Sequence, residues 1–188
     1  MTGIDKAELL ELIEACKKGK RQAQQVVYEA LYPKMKGVCL RYFPDQERAH
    51  DVLQEGFIKM FLNLEKYNGE GSFEGWVRRI ISNTAIDTLR KNKNVHFTSI
   101  DDTNYSWLEQ GDNSEIEWNE TLMREKDRVL EAVHALSPGY RAVFVLYVIE
   151  DYTHKEIADQ LGISEGTSKS NLAKAKMNLK KTLGELQY

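Results

Sequence analysis

The fold is decided by residues 153–183, THKEIADQLGISEGTSKSNLAKAKMNLKKTL. The stretch reads as two helices joined by a tight turn. Thr153 is placed to cap the first helix, and Glu156 three residues later makes a capping box. Ile157, Ala158 and Leu161 give that helix its apolar face. Gly162 is predicted to end it in a left-handed conformation. Ser164 is the next available cap, and a second helix is predicted from Glu165 to about Leu183.

The second helix has two faces. Leu172, Ala175, Leu179 and Leu183 recur at three- and four-residue intervals and form the inward stripe. Thr167, Ser170 and Lys174 point away from it, with Lys169 and Ala173 on its flank. Between Glu165 and Leu183 there are five lysines (169, 174, 176, 180, 181) and one acid, Glu165. Short polar side chains let a helix backbone approach a major groove, and lysines meet phosphate or guanine. A basic helix alone would equally suit a solvated face closing a bundle. The capped partner helix and the glycine turn favour a DNA-reading helix-turn-helix.

Composition bounds the rest. The chain has 188 residues, 41% hydrophobic and 29% charged, ordinary for a globular protein of one domain or two small ones. Three prolines and no Val/Thr alternation predict an all-α chain. No apolar run approaches the length of a membrane span, and the N-terminus does not read as a signal peptide, so no membrane insertion and a cytoplasmic location are expected. Cys16 and Cys39 are expected as reduced, partly buried thiols. The four histidines (50, 96, 134, 154) show no ligand spacing, so neither a metal nor another cofactor is expected.

The formal net charge of −3 is unusual for a nucleic-acid binder. Its distribution explains it. Residues 95–122 hold seven acids and no Lys or Arg, and the remainder of the chain has 26 basic against 22 acidic residues. The segment reads as an acidic, flexible linker on which Trp107 and Trp118 are able to dock locally. It separates two small helical domains, expected at 1–94 and 123–188.

In the first domain, helices are predicted over Lys6–Lys17, Ala23–Phe43, Gln46–Tyr67 and Phe73–Arg90. In the second of these Val26, Val27, Ala30, Leu31, Met35, Val38, Cys39 and Tyr42 are candidates for burial, and Pro33 is placed to kink or divide it. The third carries Leu53, Phe57, Met60, Phe61 and Leu64 inward. Asp51, Gln54 and Glu55 form a polar patch at i, i+3 and i+4, which taken alone suits a solvated face. Asn68-Gly69-Glu70-Gly71-Ser72 is a loop. The helix after it bears Arg78, Arg79, Asn83, Asp87 and Arg90 on its outer side. Basic residues beside Phe73 and Trp76 suit single-stranded nucleic acid, where bases stack on rings, although Trp76 is expected mostly in the core. In the second domain, helices are predicted over Met123–Leu136 and Tyr140–Ile149 ahead of the helix-turn-helix.

Four stretches in order resemble the extracytoplasmic-function group of bacterial sigma factors: DVLQEGFIKMF (51–61), GSFEGWVRRIISNTAIDTLRK (71–91), YTHKEIADQLG (152–162) and ISEGTSKSNLAKAK (163–176). The resemblance covers nearly the whole chain. It implies two partners, core RNA polymerase and promoter DNA, and an anti-sigma factor is a further partner common in the family. The helix with Asp51, Gln54, Glu55 and Phe57 resembles the one that docks on the clamp helices of the largest polymerase subunit, and the flap is the second contact on polymerase. Tyr67, Asn68, Gly69, Ser72, Phe73, Trp76, Arg79, Asn83 and Arg90 match the part that melts the promoter and captures an unpaired base of the −10 element. Thr167, Lys169, Ser170, Ala173 and Lys174 match the −35 reader. The linker resembles the segment that threads polymerase's nucleic-acid channels, where carboxylates suit sites made for phosphates.

There are departures. The family often has Phe-Arg at Tyr67-Asn68, and Arg at Lys169 and Asn171. Lysine lacks arginine's bidentate grip on guanine, so the promoter sequence does not transfer. No phosphate loop or metal-carboxylate cluster is present, so no catalytic residue is assigned and the chain reads as a non-enzyme. A stand-alone helix-turn-helix regulator and a pure protein-interaction module are the alternatives. The stand-alone regulator has no use for the Asp51/Gln54/Glu55 patch.

The linker reading has a direct test. Limited proteolysis of the free protein is expected to cut first within 95–122 and release two folded fragments. Protection of the whole segment would count against an unpacked linker.

Overall fold

The structure, a computed structural model, describes residues 6–91 and 126–185. The acidic segment 95–122 and the domain limits expected at its two ends lie outside the described residues. All the described regular elements are helical, as the composition predicts. The chain divides into two compact units, Met1–Thr88 and Leu89–Tyr188.

The first unit contains α1 (Lys6–Lys17), α2 (Arg21–Tyr42), α3 (Gln46–Leu62), one 3₁₀ turn (Leu64–Lys66) and all but the last three residues of α4 (Phe73–Lys91). Pro33 does not divide α2, which runs through it. Its ring removes a hydrogen bond to the carbonyl of Glu29, and both residues lie on the exposed side of the helix, where water can replace the lost donor. Val27, Leu31, Met35 and Val38 are fully inside, whereas Val26 is 46% exposed and not in the core as expected. The inward stripe follows i, i+4 steps through Ala23, Val27 and Leu31, and Val26 sits about 100° round the helix from its neighbour. Cys16 and Cys39 are free and buried, and burial pushes the Cys39 thiol up to about 12, so it behaves as a small apolar side chain.

Asp45 caps α3 by accepting from the Arg48 N–H at 2.9 Å. The helix ends at Leu62, earlier than Tyr67, because the Asn63 amide donates back to the Lys59 carbonyl at 2.7 Å and the chain tightens into the 3₁₀ turn. In the middle of α3, Gly56 lies against Ile81 of α4. A Cβ there would collide with Ile81 Cδ1 and stand 3.5 Å from its Cα. Glycine weakens a helix interior by ~1 kcal/mol, and here it permits α4 to sit almost on the α3 backbone.

The second unit contains α5 (Lys126–Ala135), α6 (Pro138–Phe144), a π-helical turn (Val145–Ile149), α7 (His154–Leu161) and α8 (Glu165–Glu185). The single apolar helix expected over Tyr140–Ile149 starts earlier, at Pro138, behind the Ser137 cap, and widens from Val145. The wide turn closes with the Glu150 N–H donating to the Val145 carbonyl at 3.0 Å. Asp151 then takes φ +56°, a conformation its short polar side chain tolerates. Arg141 is buried and fastens α6 to the end of α5. Its guanidinium donates to the carbonyls of Val133 (3.2 Å), His134 (2.7 Å) and Leu136 (2.8 Å). Carbonyls at a helix C-terminus have spare acceptor capacity, and a cation there also meets the negative end of the dipole.

The Gly56 contact predicts a compensating pair. Gly56→Ala is expected to destabilise the first unit by about 1–3 kcal/mol as an overpacked core. Ile81→Val, which removes Cδ1, should restore part of that loss in the Gly56→Ala background while destabilising the wild-type background. Denaturant unfolding of the four proteins measures the coupling, and strictly additive losses would contradict the contact.

Candidate nucleic-acid interface and partner surface

The helix-turn-helix is built by its caps. Thr153 Oγ1 accepts from the Glu156 N–H at 3.2 Å, and the Glu156 carboxylate accepts from the Thr153 N–H at 2.9 Å. This is the capping box expected from the sequence. Gly162 has φ +68°, and its N–H and that of Ile163 both donate to the Ala158 carbonyl, at 2.9 and 3.1 Å. Ser164 caps α8 by accepting from the Thr167 N–H at 2.9 Å.

With both ends of the turn fixed, the faces of α8 are fixed too. Ser168, Asn171, Leu172, Ala175 and Leu179 are buried. Ser168 and Asn171 extend the inward stripe, and a count of apolar residues cannot see them because they are polar. Asn171 is therefore not on the outer face. Lys169 is exposed there, with Thr167, Ser170 and Ala173 half-buried beside it. The Thr167 hydroxyl lies 2.8 Å from Ser164 Oγ, and Ser170 donates to the Thr167 carbonyl at 3.0 Å. Lys174 departs from the expected outward direction. It is half-buried, and its ammonium stands 5.9 Å from the centre of the Tyr140 ring of α6. The outer face at the start of α8 is thus small and polar, with Lys169 as its exposed cation.

On α3, Asp51 and Gln54 are exposed and Glu55 is half-exposed, one polar stripe as expected. Gln54 Nε2 lies 3.3 Å from His50 Nε2. Lys59 pairs with Glu55 at 2.9 Å and reaches Asp87 of α4 at 3.8 Å. Phe57 is not part of this surface. Its ring is 3% exposed and packs on Tyr28 of α2 at 4.6 Å, because position 57 falls on the inward stripe with Leu53 and Met60. Ile58 and Leu62 continue the outer stripe and are 58% and 78% exposed, an apolar extension the sequence reading did not single out.

The loop after α3 is held by aromatic packing. Tyr67 and Phe73 are buried, with ring centres 5.1 Å apart, and Trp76 lies 5.5 Å from Tyr67 and 5.9 Å from Phe73. Neither Tyr67 nor Phe73 presents a face for a base to stack on, a correction to the expected platform. They form the floor of the loop, since burying two rings outweighs displaying them. The Tyr67 hydroxyl donates to the Gly71 carbonyl at 3.1 Å, Asn68 accepts from the Glu70 N–H at 3.1 Å, and Ser72 accepts from the Gly75 N–H at 3.2 Å. Gly69 and Gly71 have φ of +82° and +70°, which lets so short a loop close. Trp76 is half-buried, as expected. Trp76, Arg79, Asn83 and Arg90 share one stripe of α4. Arg79 and Arg90 are exposed and Asn83 is half-buried.

Among the described residues no group of three or more His, Cys, Asp or Glu is arranged to hold a metal ion. No described helix is long and apolar enough to cross a membrane.

Residues 27–95 match the family described as Sigma-70 region 2, and residues 126–179 the family described as Sigma-70, region 4. The ECF RNA polymerase sigma factor SigW of Bacillus subtilis is 27% identical over 180 residues, 93% of this chain and 96% of that protein. The ECF RNA polymerase sigma-E factor of Haemophilus influenzae is 28% identical over 173 residues, 88% of this chain and 89% of that protein. The sigma factor RpoE of Bartonella quintana, solved with the anti-sigma factor NepR, shares the fold at a TM-score of 0.50 and 14% identity. That match covers 85% of this chain and 96% of the other.

Burial, and then the nearby Lys169, pull the His154 imidazole below its usual value, with Lys176 adding to this and Glu165 opposing it. As pH falls, the unfolded chain binds this proton first, near 6.5, so stability drops from there until the folded-state pKa is passed. Thermal unfolding of the second unit is therefore expected to shift down between about pH 7.5 and about pH 5.5, by more than in His154→Asn. Equal shifts in both proteins would remove His154 as the source.

Proposed function

This chain belongs to the sigma-70 family, in its extracytoplasmic-function group, and we propose how its two helical units divide the work of promoter recognition. It is an RNA polymerase sigma factor that directs transcription initiation, with core polymerase and promoter DNA as its partners. The observation that carries this is the order of matches in one chain. The region 2 family precedes the region 4 family, and the second ends on a helix-turn-helix with both helix ends capped. A stand-alone DNA regulator has no use for a region 2 unit.

In our reading, residues 1–94 bind polymerase and trap melted DNA, 95–122 link the units, and 123–188 read duplex DNA. Asp51, Gln54 and Glu55 dock on the clamp helices, and the second unit meets the flap. Phe57 acts from inside by holding α3 on α2. Trp76, Arg79, Asn83 and Arg90 face the non-template strand of the −10 element. Asn83 offers a donor and an acceptor to an exposed pairing edge, and the two arginines suit phosphates. Asn68, Gly69 and Ser72 bring backbone and short side chains to the rim of that surface, over the packed rings of Tyr67 and Phe73. On α8, Lys169, Thr167, Ser170 and Ala173 enter the major groove at −35, while Lys174 steadies the helix on Tyr140.

Extruding a base costs a few kcal/mol. Binding only the opened strand offsets that and shifts the duplex–bubble equilibrium by differential affinity. The role is non-enzymatic, since polymerase performs the phosphoryl transfer. It places the protein in the cytoplasm with polymerase and chromosome, and an anti-sigma factor is the further partner that membership in the group suggests.

The decisive experiment is capture of core polymerase followed by run-off transcription. The wild-type chain is expected to bind core and support promoter-specific transcripts. Asp51→Lys with Glu55→Lys should abolish core binding with helicity unchanged by circular dichroism. Unchanged affinity for core polymerase would refute the α3 assignment, and absence of any specific transcript from the wild type would refute the function.

A further inference from the structure

The imidazole of His154 touches three successive elements of the second unit. It is the first residue of α7, and its ring stacks on Tyr147 of the π-helical turn with centres 4.4 Å apart and planes 22° from parallel. Its Nδ1 lies 2.9 Å from Ser168 Oγ on α8. Ser168 is fully buried, so its hydroxyl is desolvated and depends on this contact.

Ile157 and Leu161 of α7 and Leu172 of α8 are buried apolar side chains of the motif. Apolar contact is non-directional and tolerates small slides and rotations. A hydrogen bond holds its atoms within a few tenths of an ångström. Ser168 is the residue next to Lys169, the exposed cation of the outer face. Whatever fixes Ser168 fixes where Lys169 emerges.

We propose that His154 is a positioning residue for the recognition helix: through Ser168, and braced by Tyr147, it sets the rotation at which α8 presents Lys169 to duplex DNA. The proposal rests on the reading of α8 as the −35 reader. The Tyr147 stack matters because it stops the ring from turning about its own axis, so Nδ1 stays aimed at Ser168. The π-helical turn contributes by carrying Tyr147 to the end of α7, with its ring close to parallel with the imidazole.

The test uses holoenzyme reconstituted with core polymerase and a promoter duplex that the wild-type holoenzyme selects from a library randomised at −35. Affinity is measured for that duplex and for single-base changes within the −35 element. His154→Ala and Ser168→Ala are each expected to weaken binding about fivefold, the worth of one hydrogen bond, and to flatten discrimination among −35 bases. The double variant should be no weaker than either single one. His154→Asn, whose amide stands close to the Nδ1 position, should restore discrimination. Ser168→Ala is a small buried change and keeps the test open if His154→Ala unfolds.

Singles whose losses multiply in the double variant would overturn the proposal, as would losses that follow melting temperature alone and are not rescued by Asn. Wild-type binding by both singles, with Lys169→Ala impaired, would also overturn it while leaving the −35 reading intact. Wild-type binding by Lys169→Ala as well would bring down the −35 reading itself.

Discussion

The contact of Gly56 with Ile81 sets how close α4 can come to α3, and the surfaces of the first unit follow from it. At that distance the inward stripes of both helices are consumed by the core, and each helix keeps one outer stripe. On α3 that stripe is Asp51, Gln54, Glu55, Ile58 and Leu62. On α4 it is Trp76, Arg79, Asn83 and Arg90. Lys59 spans the seam, pairing with Glu55 and reaching Asp87. Exposed ion pairs are worth ~0–1 kcal/mol, so this bridge adds little stability. Its effect is local charge: it neutralises one end of the acidic patch and leaves Asp51 as the exposed acid at the other.

The second unit uses backbone carbonyls where the first uses a close approach. Arg141 collects three of them at the end of α5, and by doing so locks α6 to α5 before the helix-turn-helix begins. Removing a buried cation with that many acceptors would cost roughly 3 kcal/mol or more. An arginine suits the place because its planar fork meets several acceptors at once. The result is a rigid base of short helices, on which α8 can be aimed.

Features set by local chemistry were legible in the sequence. The capping box at Thr153, the left-handed Gly162 and the Ser164 cap depend only on residues three or four apart, and each stands as read. What was not legible depends on which of two adjacent residues faces in. Val26 and Val27 are chemically the same, and only packing against the neighbouring helices decides between them. Phe57, Tyr67 and Phe73 carry a family's functional pattern, yet lie inside, because burying an aromatic ring is worth more than displaying it. Ser168 and Asn171 were invisible for the opposite reason: they are polar residues on an inward stripe. The partner of the Ser168 hydroxyl, His154, is fourteen residues away, too far for local spacing to reveal it.

The charge distribution bears on how two readers combine. A protein with net charge −3 gains little from the general attraction that holds basic proteins to DNA. The outer face of α8 presents Lys169 as its exposed cation, with Lys180 and Lys181 exposed further along the helix. Few phosphate contacts mean weak binding by that unit alone. The α4 stripe has two exposed arginines and a half-buried asparagine, and in the proposed function it meets DNA only after the strands part, so it too is weak on closed duplex. Two weak readers on one chain become strong when both are engaged, because the second contact is then intramolecular and its gain depends on geometry. In the proposed function, core polymerase supplies that geometry by holding both units over the same promoter. Specificity then requires two short elements at the correct spacing, and a chain with weak readers avoids being held by the far more numerous sites that offer only one.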